Sequence, residues 1–128
     1  MKRAVLVFMA FLLLTTTCWA QRKPVGGSPP GEGQNVTITG KMTCTFCSLP
    51  APGKCSIECC QDCIKAGDPV LLTDAKGDLY ILLTSEHEKP LMTPDRMKLL
   101  VGNVKVEGML VKRGGIQGIY VKKMEKAP

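Results

Sequence analysis

The chain has 128 residues, a formal net charge of +6, 45% hydrophobic residues, few aromatics, one histidine and seven cysteines. That length is enough for one domain with one modest core. The N-terminus reads as a secretory signal over residues 1–20. Lys2 and Arg3 give a basic start, Ala4 to Leu14 is an unbroken apolar run, and Cys18-Trp19-Ala20 offers small residues where a signal peptidase reads, with cleavage before Gln21. The run is too short for a membrane span, which needs about 20 apolar residues. Thr17 is a poor neighbour for lipid attachment at Cys18. Cleavage removes Lys2, Arg3 and Cys18, leaving a less basic chain with an even count of six cysteines.

Residues 21–34, rich in Gly and Pro with almost nothing to bury, read as a disordered leader. The domain is expected over 35–128. Val36, Ile38, Gly40 and Met42 alternate with Thr37, Thr39 and Lys41, the pattern of a half-buried strand. Residues 44–54 carry two prolines and a glycine and read as a loop. Ser56 caps a helix running to about Ala66, and Gly67 ends it. Asp68-Pro69 leads into a strand through Val70, Leu71 and Leu72. Residues 74–78 turn the chain, and Leu79 to Leu83 returns. Thr93 with Pro94 opens a short helix through Met97 to Leu100 that Gly102 ends. Val104, Val106, Gly108, Leu110 and Lys112 make a long alternating strand, Arg113-Gly114-Gly115 a hairpin, and Ile116, Ile119 and Val121 its return.

Five strands with a helix between the third and fourth match a mainly β, five-stranded OB-type barrel. The cysteine-rich stretch over 44–66 is then a loop–helix insertion after strand 1. A small open sheet with two helices is the alternative. The stretch Ala66-Gly67-Asp68-Pro69-Val70-Leu71-Leu72 and the strand Gly102-Asn103-Val104-Lys105-Val106-Glu107-Gly108 carry a resemblance to small exported bacterial OB-type proteins of largely unassigned function, which also have a cysteine segment after the first strand. The resemblance covers most of the mature chain and implies the barrel fold. Members of that group often have histidines beside the cysteines. This chain has none there, so no ligand set is carried over.

Six cysteines fall within 20 residues: Cys44, Cys47, Cys55, Cys59, Cys60 and Cys63. Cys44 and Cys47 form a Cys-x2-Cys knuckle whose sulfurs can converge on one ion, and Cys60 and Cys63 repeat the spacing. On a helix Cys59 and Cys63 share a face, while Ile57, Cys60 and Ile64 form a stripe that turns Cys60 toward the core. The preferred four-sulfur set is therefore Cys44, Cys47, Cys59 and Cys63, with Cys60 in place of Cys59 as the close second. Thiolates select zinc, copper(I) or iron–sulfur clusters. Zinc suits a closed four-sulfur site; copper(I) suits an exported protein, where two further cysteines can serve a multinuclear site. The rival chemistry is a set of disulfides, as an oxidising compartment and an even count suggest. Bonds within the helix are disfavoured, because side chains three or four apart hold their Cβ atoms about 5–6 Å apart and a disulfide wants roughly 3.5–4.5 Å. Three cysteines before the helix and three on it allow six complete pairings. Thiol–disulfide exchange is a third reading, weakened because Cys60 lies too far into the helix for its thiolate to gain from the helix start.

The remaining candidates read as ordinary. His87 lies in a polar loop and reads as a surface residue. Met42 alone among the methionines is near enough in sequence to join a copper site at Cys44; the others read as core filling. The aspartates lack the spacing of a calcium loop, and the sole histidine has no evident partner for a hydrolytic triad, so no catalytic residue is assigned. Residues 89–128 hold nine basic and three acidic residues. Single-strand binding by such barrels uses aromatic stacking, and only Tyr80 and Tyr120 lie on expected strands, so nucleic acid is not an expected partner. The basic half reads as a solvated face, or as a docking surface for an acidic partner or anionic membrane. The expectation is a non-enzymatic, exported binding domain, periplasmic or extracellular, with no integral membrane span after signal removal and a thiolate site for zinc or copper(I). The alternative is a disulfide-stapled module that binds an envelope or secreted protein.

Overall fold

The structure, a computed structural model, describes residues 33–50 and 53–128. The signal peptide expected over 1–20 lies outside the described residues, as does the leader expected over 21–34 except Gly33 and Gln34, the second of which starts the first strand. The elements in chain order are β1 (Gln34–Cys44), α1 (Thr45–Ser48), α2 (Ile57–Lys65), β2 (Val70–Asp74), β3 (Leu79–Thr84), α3 (Pro94–Met97), β4 (Asn103–Arg113) and β5 (Ile116–Lys126).

The strands close into a barrel in the order β1-β2-β3-β5-β4, with β4 returning to β1. Every pairing is antiparallel except β3 with β5. This is the OB-type barrel with the cysteine insertion between β1 and β2, and its closure sets the open sheet aside. Closure depends on β1 serving two partners: residues 34–41 pair with β4, and 40–44 pair with β2. At the changeover a side chain has no room, because a Cβ on Gly40 would collide with the Thr73 carbonyl. Gly108 plays the same part where β4 slips register against β5, its missing Cβ making room for the Tyr120 carbonyl.

The alternation in the strands fills the interior. Met42, Leu72, Val104, Val106 and Ile119 are fully buried, joined by Val70, Tyr80, Leu82, Leu100 and Val121. Cys44 and Cys60 are members of this same core and are fully buried too, so the barrel interior runs without a break into the cysteine insertion. Val101 adopts a left-handed conformation (φ 62°), which is costly for a β-branched residue. Its N–H donates to the Met42 carbonyl at 2.7 Å, and the Met42 N–H donates to Gly102 at 3.1 Å. These two bonds tie the segment after α3 to β1 just before Cys44.

Two stretches differ from their reading. The short helix expected through Met97 to Leu100 ends at Met97, with residues 98–101 as turns. Residues 45–48, expected within a loop, form the single helical turn α1. No periodicity in four residues could show this; the turn is held from outside, by a residue more than 20 positions away.

Candidate metal centre

Three cysteines precede α2 and three lie on it. Cys44 ends β1, where it pairs with Val70 of β2. Cys47 sits on α1. The Phe46 N–H donates to Asp68 Oδ2 at 2.8 Å, the Thr45 hydroxyl donates to Asp68 Oδ1, and the Thr45 N–H donates to the Pro69 carbonyl. Asp68 thus acts as the cap that α1 lacks from its own N-terminal residue, and it fixes the Cys44–Cys47 knuckle. Cys55 lies just before α2. The helix opens on Ser56, whose hydroxyl accepts the Cys59 N–H at 3.2 Å, and ends before Gly67 at φ +105°. The Asp68 N–H donates back to the Cys63 carbonyl at 3.0 Å, so the same residue grips both halves of the insertion. From the far side, Gln61 Nε2 donates to the Met97 carbonyl and ties α2 to α3.

The Sγ atoms gather in three sets, and within each set all lie within 4.8 Å of one another: Cys44, Cys47 and Cys63; Cys44, Cys55 and Cys60; Cys47, Cys55 and Cys59. Each pair among Cys44, Cys47 and Cys55 occurs in one of these sets, so the three sulfurs ahead of the helix form a triangle. Each helical sulfur then straddles one edge of it: Cys63 over 44–47, Cys60 over 44–55, Cys59 over 47–55. Cys47 Sγ and Cys59 Sγ stand 3.6 Å apart, and no disulfide joins any two of the six sulfurs in this structure. The set preferred from spacing, Cys44, Cys47, Cys59 and Cys63, is split between two of these groups. Cys44 and Cys60 are buried, Cys47, Cys55 and Cys63 half-buried, and Cys59 exposed. The cluster therefore has one face in the core and one open to solvent.

The protonation pattern follows from this crowding. Burial pushes the Cys55, Cys60 and Cys63 thiols up to about 12, and the nearby Cys44 sulfur adds to the effect on Cys60 and Cys63. Cys47 is also pushed up to about 12, chiefly because its thiol donates to Cys55 and then to Cys59 and Cys44. Cys44 goes the other way. Burial would raise it, but the Cys47 N–H and the thiols of Cys47, Cys60 and Cys63 donate to its sulfur and bring it below the ordinary thiol value. Cys44 is thus the sulfur its neighbours' donors favour in the charged form, and a soft cation that enters must displace the protons of the surrounding thiols.

The other candidates lie elsewhere. His87 is exposed in the loop after β3 and joins none of the sulfur sets. Met42 is fully buried in the core, two residues from Cys44 on β1. Tyr80 is inside the barrel with its hydroxyl on Asp74. In the basic half, Lys105 pairs with Glu107 and Glu125, and Lys123 with Glu125. Among the described residues no helix is long and apolar enough to cross a membrane. Asp68 is the residue that sequence reasoning missed as part of the site. Asp-Pro at a strand start is the only local signal it carries, and its role depends on folding back over 22 residues. No family model, curated protein or solved structure matches the chain.

Proposed function

We propose that this chain is an exported OB-type binding domain that holds a soft metal ion, zinc or copper(I), on cysteine thiolates, for structure or for metal handling. The observation that carries the reading is the meeting of six sulfurs from two separate segments, each within 4.8 Å of several others. Sulfur-only donors select soft or borderline ions. Export is inferred from the basic, apolar and small-residue order of the first 20 residues. The barrel positions the donors and no catalytic group is assigned. Cys44, the thiol brought down, is fully buried, which disfavours it as the attacking sulfur of thiol exchange, a role that needs access.

The second reading, a disulfide-stapled interaction module, is favoured by one observation: sulfurs ahead of the helix lie beside sulfurs on it. The sets narrow six possible pairings to two. Either Cys44–Cys60, Cys47–Cys63 and Cys55–Cys59 form together, or Cys44–Cys63, Cys47–Cys59 and Cys55–Cys60 do. Native mass spectrometry with metal analysis, on protein isolated from its own compartment, separates the two readings. A stoichiometric ion released by acid, with free thiols appearing on release, supports the metal site. Three disulfides and no ion would overturn it in favour of the stapled module.

A further inference from the structure

Resting on the thiolate–metal reading, we infer that the six cysteines hold a four-copper(I), six-thiolate cluster rather than a single ion. The shape of the sulfur cage carries this inference. Six points joined as these are form an octahedron: a triangle of Cys44, Cys47 and Cys55 faces a triangle of Cys59, Cys60 and Cys63, with each helical sulfur above an edge of the first. Nine of the twelve edges are in place within 4.8 Å. The other three all run between sulfurs of α2, which no set of mutually close sulfurs joins, so this last face closes by side-chain rotation as metal enters. The pairs that share no set, Cys44 with Cys59, Cys47 with Cys60 and Cys55 with Cys63, are the three diagonals.

An octahedron of sulfurs offers alternate triangular faces that meet only at corners. The sets 44–47–63, 44–55–60 and 47–55–59 share one sulfur pairwise, so they are three of four such faces, and 59–60–63 is the fourth. A metal in each face takes three sulfurs, and every sulfur bridges two metals, which uses all six cysteines equally. Copper(I) is the soft ion that accepts three thiolates in a plane. With metal–sulfur bonds of about 2.3 Å, like those of zinc thiolates, a trigonal site sets its sulfurs about 4 Å apart, close to the Cys47–Cys59 separation of 3.6 Å. A tetrahedral zinc site needs four sulfurs mutually this close, and among the described residues the sets hold three. Loading takes up four Cu(I) ions, releases the thiol protons and moves no electrons. Six thiolates against four single positive charges leave the cluster with two negative charges. The exposed Cys59 sulfur marks the side from which ions enter.

The test is anaerobic titration of the purified, reduced, metal-free protein with Cu(I) in competition with a colorimetric Cu(I) chelator, followed by native mass spectrometry and copper X-ray absorption. The cluster predicts saturation at four ions, a four-copper species that appears without accumulation of the one-copper form, three sulfurs per copper and a copper–copper scattering shell. Cys59→Ser removes the exposed bridge, which leaves the fold intact by circular dichroism and lowers the stoichiometry below four. Saturation at one ion in the native protein, or four-copper loading unchanged in Cys59→Ser, would overturn the cluster while leaving a simpler thiolate site standing. A protein that takes up neither Cu(I) nor zinc once reduced would overturn the metal reading itself.

Discussion

The barrel and the cysteine insertion are built on different physics. The barrel is a closed set of ladders around branched aliphatic side chains; burial of that apolar surface stabilises it and the ladders satisfy its backbone. The insertion has two short helices, no sheet partner of its own and an interior made largely of thiols. A thiol is a small hydrophobe, so six of them crowded together offer far less than a comparable aliphatic core. What the insertion lacks in hydrocarbon it can recover only by bonds to sulfur. The barrel therefore specifies where the cluster sits, and on the proposed reading a bound metal would specify how firmly the insertion holds its shape.

The largest expected effect tests that division directly. Structural metal binding in small thiolate sites is worth about 10 kcal/mol or more. Stripping the metal under reducing conditions should lower amide-exchange protection across α2, residues 57–65, by at least about tenfold, and leave β4 and β5 unchanged. Equal loss in both regions would mean that the two form one cooperative unit, and no loss in α2 would mean that the insertion is self-sufficient.

Next in size is a break on the barrel side. Gly108→Val places a side chain against the Tyr120 carbonyl at the register shift between β4 and β5. It should cost about 2–4 kcal/mol in denaturant unfolding. Metal stoichiometry at low denaturant should stay the same, because the change lies in a ladder and not at the sulfurs. Altered stoichiometry in folded Gly108→Val protein would show that barrel strain reaches the cluster.

Asp68→Ala sits on the seam between the two regions. It removes the acceptor for the Thr45 hydroxyl and Phe46 N–H, bonds to a charged partner that is partly exposed, so the loss should be about 1–2 kcal/mol. The effect should fall mainly on Cys47, as weaker metal retention against a competing chelator with a nearly unchanged midpoint for the barrel. Asp68→Asn keeps one acceptor oxygen and should recover part of it. A lowered barrel midpoint with unchanged retention would place Asp68 among the supports of β2 instead.

The same contrast governs how much could be read beforehand. The barrel was legible because period-2 alternation in β1 and β4, the Gly114-Gly115 turn and the Thr93-Pro94 helix start are local signals, each written in a few adjacent residues. Its closure was legible only through the order of elements, since the parallel β3–β5 pairing and the bulge before Gly108 depend on residues far apart. Val101 in the left-handed region, beside a glycine that does not use it, carries no local signal at all. In the insertion the six donors were evident as residues, and the core-facing stripe placed Cys60 inward. Their grouping was not evident, because it depends on how α1 stands against α2, and that is set by Asp68. Spacing alone joined Cys59 and Cys63 to the knuckle as one four-sulfur set, whereas the fold places them over different edges of the leading triangle.

The smallest expected effect is a pH dependence that should belong to the barrel alone. Asp74 ends β2, and its Oδ1 accepts the N–H groups of Lys76 and Asp78, both at 2.9 Å, while the Tyr80 hydroxyl reaches Oδ2. Desolvation pushes its carboxyl up, but the Asp78 and Lys76 N–H groups and the Tyr80 hydroxyl outweigh it and hold the group below the usual carboxylate range. The sign follows from linkage. A carboxyl whose folded pKa is depressed contributes stability that is fully present above its unfolded value, about 3.9, and is lost as the pH falls through the folded value. Asp74→Asn, which keeps an acceptor without the charge, should therefore lower barrel stability modestly at neutral pH, and the difference from the native protein should close as the pH falls through that window, which flattens the acid limb of the variant. Metal retention should show the opposite texture. It should weaken steadily as pH falls, beginning well above the carboxylate range, because protons compete for sulfurs that must be thiolates to bind. If Asp74→Asn shifted that metal curve as well, the turn between β2 and β3 would be coupled to the cluster across the barrel, and the two regions could not be treated as separately stabilised.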